Sequence, residues 1–139
     1  MFINDSLAIC HGSPVDEDMY LFSEFDALSV FQAFPARVTF FGHTHLPSLF
    51  ILHAGGVKGI LLGGVKGRIR IQSGFRYLIN PGSVGQPRDR NPWAAYMIYD
   101  ETREMVTWYR IPYRIDLAQR RIRGAGLPAA LAERLSFGI

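Results

Sequence analysis

The chain has 139 residues, of which 48% are hydrophobic and 13% aromatic, enough to bury one core. A single cysteine, Cys10, excludes a disulfide framework and a thiolate metal cluster and fits a reducing, cytoplasmic setting. The formal net charge of +3, with 19% charged residues, suits a site that receives phosphate as well as it suits a weak nucleic-acid surface. No run approaches a membrane span, and the first residues lack the basic start and apolar core of a signal peptide.

In chain order, Leu7 to Cys10 reads as a buried strand that ends in the turn His11-Gly12-Ser13-Pro14. Asp16, Glu17 and Asp18 follow, and three acids before a helical stretch predict a favourable interaction with the helix's positive end, with metal ligation as the competing role. Ser23 to Phe34 is predicted helical, with Phe22, Phe25, Leu28, Val30, Phe31 and Phe34 giving a broad apolar face expected to be core.

Val38 to Phe41 is a continuous β-branched and aromatic run, expected of a strand covered on both faces. Gly42 ends it in a turn, and His43 and His45 follow two apart. If the segment is extended, both rings face one side. Two apolar strands that each deliver imidazole at their carboxyl ends, where open α/β sheets place ligands, predict metal ligation by His11, His43 and His45.

Ser48 to His53 is a predicted strand, with His53 a partly exposed member of it. The glycine-rich segment after it suggests a hairpin with Arg68 to Gln72 as one arm. Arg76 to Ile79 is a further strand running into Asn80-Pro81-Gly82-Ser83, a tight turn near the same crevice. Asn80 and Ser83 are expected to brace that loop. Arg88 offers a planar fork matched to phosphate oxygens and is a candidate substrate contact, against the alternative of a surface pair with Asp89 or Asp100. Ala94 to Tyr99 and Met105 to Ile111 predict an antiparallel hairpin. Leu117 to Arg123 and Pro128 to Leu135 predict short helices, the basic face of Arg120, Arg121 and Arg123 being solvated and nucleic-acid binding not expected.

His-Gly-Ser-Pro, then Gly-His-Thr-His, then Asn-Pro-Gly-Ser-Val-Gly-Gln-Pro-Arg-Asp over residues 80–89, in this order, resemble the calcineurin-like metallophosphoesterases, in particular their small bacterial and archaeal branch. The similarity continues through Tyr109-Arg110-Ile111-Pro112-Tyr113 and Gly126-Leu127-Pro128 to Arg134-Leu135. The resemblance implies the carboxyl-terminal part of a four-layer αββα sandwich with mixed β-sheets, residues 1–139 forming one domain. It also implies a dinuclear site in which His11 and His43 serve one metal and His45 the other, with Asn80 and Arg88 bordering a phosphoester. Manganese is the expected metal, with iron, zinc, nickel or magnesium as alternatives. The family's Asp-x-His, Gly-Asp-x-x-Asp and Gly-Asn-His-Asp blocks do not occur here.

The leading expectation is therefore a phosphoesterase carrying the histidine half of its site, completed by an amino-terminal half or within a homodimer. A non-catalytic metal-binding or scaffolding module is the alternative. A third reading is a self-contained single-metal enzyme that recruits Asp5, Asp16 or Asp89.

Overall fold

The computed structural model describes residues 3–139. Two β-sheets and a helix layer stack on one another. The larger sheet has five strands in the order β1-β2-β6-β3-β4, where β1 is Leu7–Ile9, β2 is Val38–Phe40, β3 is Ser48–His53, β4 is Gly56–Leu61 and β6 is Arg76–Asn80. β1, β2 and β6 run parallel, and β3 and β4 run antiparallel to their neighbours. The smaller sheet, β5-β8-β7, is wholly antiparallel and uses Lys66–Arg70, Met105–Ile111 and Ala94–Asp100. Among the described residues one sheet is thus mixed and the other antiparallel.

Strand alternation builds two cores. On β2, β3 and β6, Val38, Leu49, Tyr77 and Ile79 face the second sheet and meet Ile71 and Val106 there. Their alternates Phe41, Phe50 and Leu78 face the other way, onto Ala27, Val30 and Phe31 of helix α1, Glu24–Ala33. The Val38 to Phe41 run is continuous in sequence because both of its faces are covered.

Helix α1 starts on a capping box: the Ser23 hydroxyl accepts from the Asp26 amide at 3.1 Å, and Asp26 Oδ2 accepts from the Ser23 amide at 2.9 Å. Its last carbonyls are met from β6, where the Arg76 guanidinium donates to the carbonyl oxygens of Phe31, Phe34 and Ala36. A cation at that end also opposes the helix dipole. Only half of the predicted apolar face is core. Phe22 is 60% exposed and Phe25 80% exposed, because helical periodicity cannot distinguish a face turned to a sheet from one turned outward. The acids Asp16 to Asp18 lie in a turn well before the helix, and Glu24 and Asp26 occupy its first turn instead.

The glycine-rich segment is not a hairpin. Its first arm, β4, pairs with β3 in the large sheet, whereas its second arm, β5, pairs with β8 in the small one. Residues 62–65 carry the chain across, with the Leu62 amide donating to Pro47 O and Gly63 O accepting from Trp108 Nε1. Gly67 sits beneath the Trp108 ring, where a Cβ would lie 2.0 Å from the indole. Helices α2, Ile115–Gly124, and α3, Ala129–Glu133, pack on each other, fastened by Gln119 Nε2 donating to Ala132 O and Ser136 Oγ. Among the described residues no helix is long and apolar enough to cross a membrane.

Candidate metal centre

The three parallel strands end at one edge of the large sheet, and each end carries a polar loop. After β1 and β2 the ladder continues by two rungs: Cys10 N donates to Phe40 O at 3.0 Å and Gly42 N to His11 O at 2.6 Å. This registry sets His11 beside the turn that carries His43. Their facing nitrogens, His11 Nε2 and His43 Nδ1, are 2.9 Å apart, with the rings at 72°. Two imidazole nitrogens on one tetrahedral metal, each about 2.0–2.1 Å from it, stand about 3.3 Å apart. The pair therefore needs an opening of only a few tenths of an ångström to hold a cation in place of the hydrogen bond.

The loop geometry differs from the expected extended segment. His43 has φ 64° and His45 has φ 60°, both left-handed, and the Thr44 amide folds back to Gly42 O at 2.7 Å. Left-handed residues other than glycine cost of order 1–3 kcal/mol each and persist where their surroundings over-determine them. Asn80, at the end of β6 and fully buried, does that here. Its Nδ2 donates to Gly42 O at 2.8 Å and to Thr44 Oγ1 at 2.9 Å, and its Oδ1 accepts from the Gly82 amide at 2.8 Å. The Asn80 amide is thus committed to the histidine loop. Thr44, 2% exposed, is the residue that sequence reasoning passed over. Its only signal was a short hydroxyl side chain placed between two histidines.

His45 is held from a third direction. Its Nδ1 lies 2.8 Å from Gln86 O, and since a carbonyl can only accept, Nδ1 carries the proton and Nε2 keeps its lone pair. That second contact is the usual way a metal-binding imidazole is oriented. Burial is the main cause that lowers the His45 pKa, the Gln86 bond opposes it, and the charges of Arg88, His43 and His11 add to the lowering. The ring therefore favours the neutral form that binds metals. Gln86 is itself placed by Ser83, whose hydroxyl accepts from the Gly85 and Gln86 amides at 3.2 and 2.9 Å.

Arg88 is exposed, and its amide donates to His45 O at 3.4 Å, so its backbone stands at the rim of the histidine site. Neither proposed surface pair forms. Asp89 is taken by the buried guanidinium of Arg110, which also donates to Trp93 O at 2.9 Å, and Asp100 pairs with Arg103 at 3.2 Å. Arg110, on β8, was not recognised from sequence as the anchor of this loop. Its position within an alternating strand gave no cue that it points inward.

Among the described residues no group of three or more His, Cys, Asp or Glu side chains gathers tightly enough to hold a metal. Asp16 is turned to the Asp18 amide at 2.9 Å, Asp89 to Arg110, and Asp5 is exposed with no place in the site. The self-contained single-metal reading has no carboxylate to rest on. Cys10 adds no ligand either: burial pushes its thiol pKa up, and its Sγ leans toward Phe40 O at 3.6 Å. The donor set fits a divalent metal in kind, as a facing His11 and His43 pair and a preset His45. It leaves the remaining ligands to be supplied.

No family model matches the chain. An uncharacterized protein of Methanocaldococcus jannaschii is 41% identical over 99 residues, which make up 71% of this chain and 38% of that protein. A crystal structure of a metallophosphoesterase from Sphaerobacter thermophilus superposes with a TM-score of 0.89 at 36% identity, covering 99% of this chain and 57% of that one. A hypothetical protein from Pyrococcus horikoshii shares the fold at 18% identity and a TM-score of 0.67, over 94% of this chain and 46% of its own. The chain spans less than two thirds of each of these proteins. Along 99% of its own length it has the fold of a metallophosphoesterase.

Proposed function

We propose that the chain contributes the imidazole half of a divalent-metal centre that hydrolyses phosphomonoesters or phosphodiesters. The observation that carries this reading is the pair of facing nitrogens of His11 and His43, 2.9 Å apart at the carboxyl ends of adjacent parallel strands. His45 joins them as a neutral ligand, because Gln86 O holds the proton on Nδ1. Carboxylates compensate and bridge hard divalent ions, and none joins the histidines among the described residues. They come, in this proposal, from an amino-terminal half, carried in a longer chain or as a separate polypeptide, or from another copy of the chain. Manganese is the first metal to try.

A bound metal would lower the pKa of its water and stabilise charge on the phosphoryl oxygens. The chain's own residues do the rest. Asn80 fixes the left-handed turns that aim the imidazoles, and Arg88 presents its fork to the phosphoryl oxygens. The net charge of +3 favours approach of an anionic ester.

Native mass spectrometry and calorimetry of the chain with manganese test the proposal. The expected result is at most one loosely held metal per chain, lost in His43→Ala, with hydrolysis of bis(p-nitrophenyl) phosphate at background. Two tightly held metals with efficient turnover by the isolated chain, or binding indifferent to His11 and His43, overturns it. The lack of a carboxylate also favours a second reading, metal binding without turnover. Adding the remainder of the Sphaerobacter thermophilus protein as a separate polypeptide distinguishes the two, since only the first gains activity.

A further inference from the structure

Leu21 is buried in the core at 2% exposure, while its two neighbours, Tyr20 and Phe22, are not covered. Both rings remain 43% and 60% exposed. They stack on each other nearly in parallel, with centroids 5.4 Å apart and planes at 8°. Tyr20 also lies against the His43 imidazole, centroid to centroid 4.0 Å. An aromatic row therefore runs outward from the histidine pair: His43, Tyr20, Phe22. It is anchored at the inner end by Leu21 and at the outer end by the capping box, since the Phe22 amide donates to Asp26 Oδ2 at 3.1 Å. Beside it lies a cleft of ≈ 320 Å³ between Phe22 and Leu46, the residue that follows His45.

The two rings are large, and an aromatic side chain offers 150–250 Å² for contact. Held open and flat next to an imidazole pair, they suit a planar group carried on a phosphate. We propose that Tyr20 and Phe22 form a stacking platform that selects phosphoesters with an aromatic organic group, a nucleoside above all. The proposal rests on the phosphoesterase reading for the phosphate end of the ligand. For the organic end it rests on the aromatic row alone.

The test is binding, followed by NMR titration of the whole chain in the presence of zinc, which is diamagnetic, with 5′-AMP, phenyl phosphate, ribose 5-phosphate and adenosine as probes. A stacked base is worth about tenfold in affinity. AMP is expected to bind about tenfold more tightly than ribose 5-phosphate, and Tyr20→Leu or Phe22→Leu to bring the ratio of the two affinities toward one. Tyr20→Phe keeps a ring and keeps the preference, which a purely structural role for the hydroxyl would not predict. A gain for phenyl phosphate without one for AMP supports the platform and narrows its ligand to aryl esters. Equal binding of AMP and ribose 5-phosphate, with both variants silent, overturns the platform and leaves the phosphoesterase reading standing. Adenosine that shifts the Tyr20 and Phe22 resonances while no phosphate binds supports the platform on its own, and hydrolysis with the amino-terminal half supplied then decides the phosphoesterase reading.

Discussion

Asn80 is the residue on which the histidine loop depends, and its replacement separates hydrogen bonding from packing. In Asn80→Ala three bonds are lost: to Gly42 O, to Thr44 Oγ1 and from the Gly82 amide. Gly42 O keeps the Thr44 amide and Thr44 Oγ1 keeps the Leu46 amide at 3.3 Å, so the Gly82 amide is the group left short. Three net contributions of about 0.5–1.5 kcal/mol each come to about 3 kcal/mol at mid-range while the loop keeps its left-handed angles, and any relaxation of His43 and His45 lowers that figure. For a domain of this size that is a fall of about 6–12 °C in Tm. Asn80→Asp is nearly isosteric and keeps the acceptor for Gly82, yet it sets a carboxylate oxygen against Gly42 O at a fully buried position. Thr44 can turn its hydroxyl to donate, whereas Gly42 O has no proton to offer. Aspartate is therefore expected to cost at least as much as alanine. Thermal unfolding of both variants gives the stability, and amide chemical shifts of residues 42–46 report the loop. An Asn80→Asp variant with wild-type Tm and unmoved amides refutes the brace.

At Gly12 a Cβ would stand 2.2 Å from Glu17 O and 2.9 Å from Met19 O, both backbone atoms that cannot step aside, so Gly12→Ala is expected to cost about 2–3 kcal/mol in urea unfolding. A loss below about 0.5 kcal/mol contradicts that contact. Arg114 holds the Asp116 carboxyl at a pKa of about 2, below its unfolded value of about 3.9. Its contribution to stability is thus full above pH ~4 and fades as pH falls toward 2. NMR titration should place the Asp116 midpoint near that lower value, and higher in Arg114→Ala, where Arg120 and the Leu117 amide still hold it below the unfolded one; an Asp116 midpoint that does not move in the variant removes the Arg114 ion pair from the argument. Nitrogen-15 NMR of the metal-free chain should show the His45 proton on Nδ1, and a proton on Nε2 would contradict the Gln86 contact.

The strands that position the site were legible because burial on both faces leaves a plain mark. Val38 to Phe41 can hardly be anything but a covered strand, and the structure covers it with α1 on one side and the second sheet on the other. The turns at the strand ends were legible from Gly12, Gly42 and Pro81. What could not be read were facts of pairing at a distance. β4 and β5 look alike as glycine-rich arms, and only their partners, β3 and β8, send them to different sheets. The left-handed angles at His43 and His45 leave no trace in residue type, since they are imposed by Asn80 from 35 and more residues downstream. Phe22 and Phe25 match helical periodicity as well as Val30 and Phe31 do, yet stay exposed, because periodicity reports a face and not what covers it.

The supports of His43 and His45 converge on one loop, residues 80–89. Asn80 sets the turn at His43, Ser83 sets Gln86, Gln86 sets the tautomer of His45, and Asp89 ties the loop to Arg110 on the second sheet. Each partner is a main-chain group, a short side chain or the buried Arg110, so none has a long free rotamer to freeze on binding. The consequence is an energetic separation. The cost of aiming the imidazoles is met during folding by bonds between β6, the loop and β8, and is already met when a cation or phosphate arrives. Weak metal affinity in the isolated chain would then reflect missing ligands rather than misplaced histidines. Affinity should rise steeply when carboxylates are supplied, with little change in the loop.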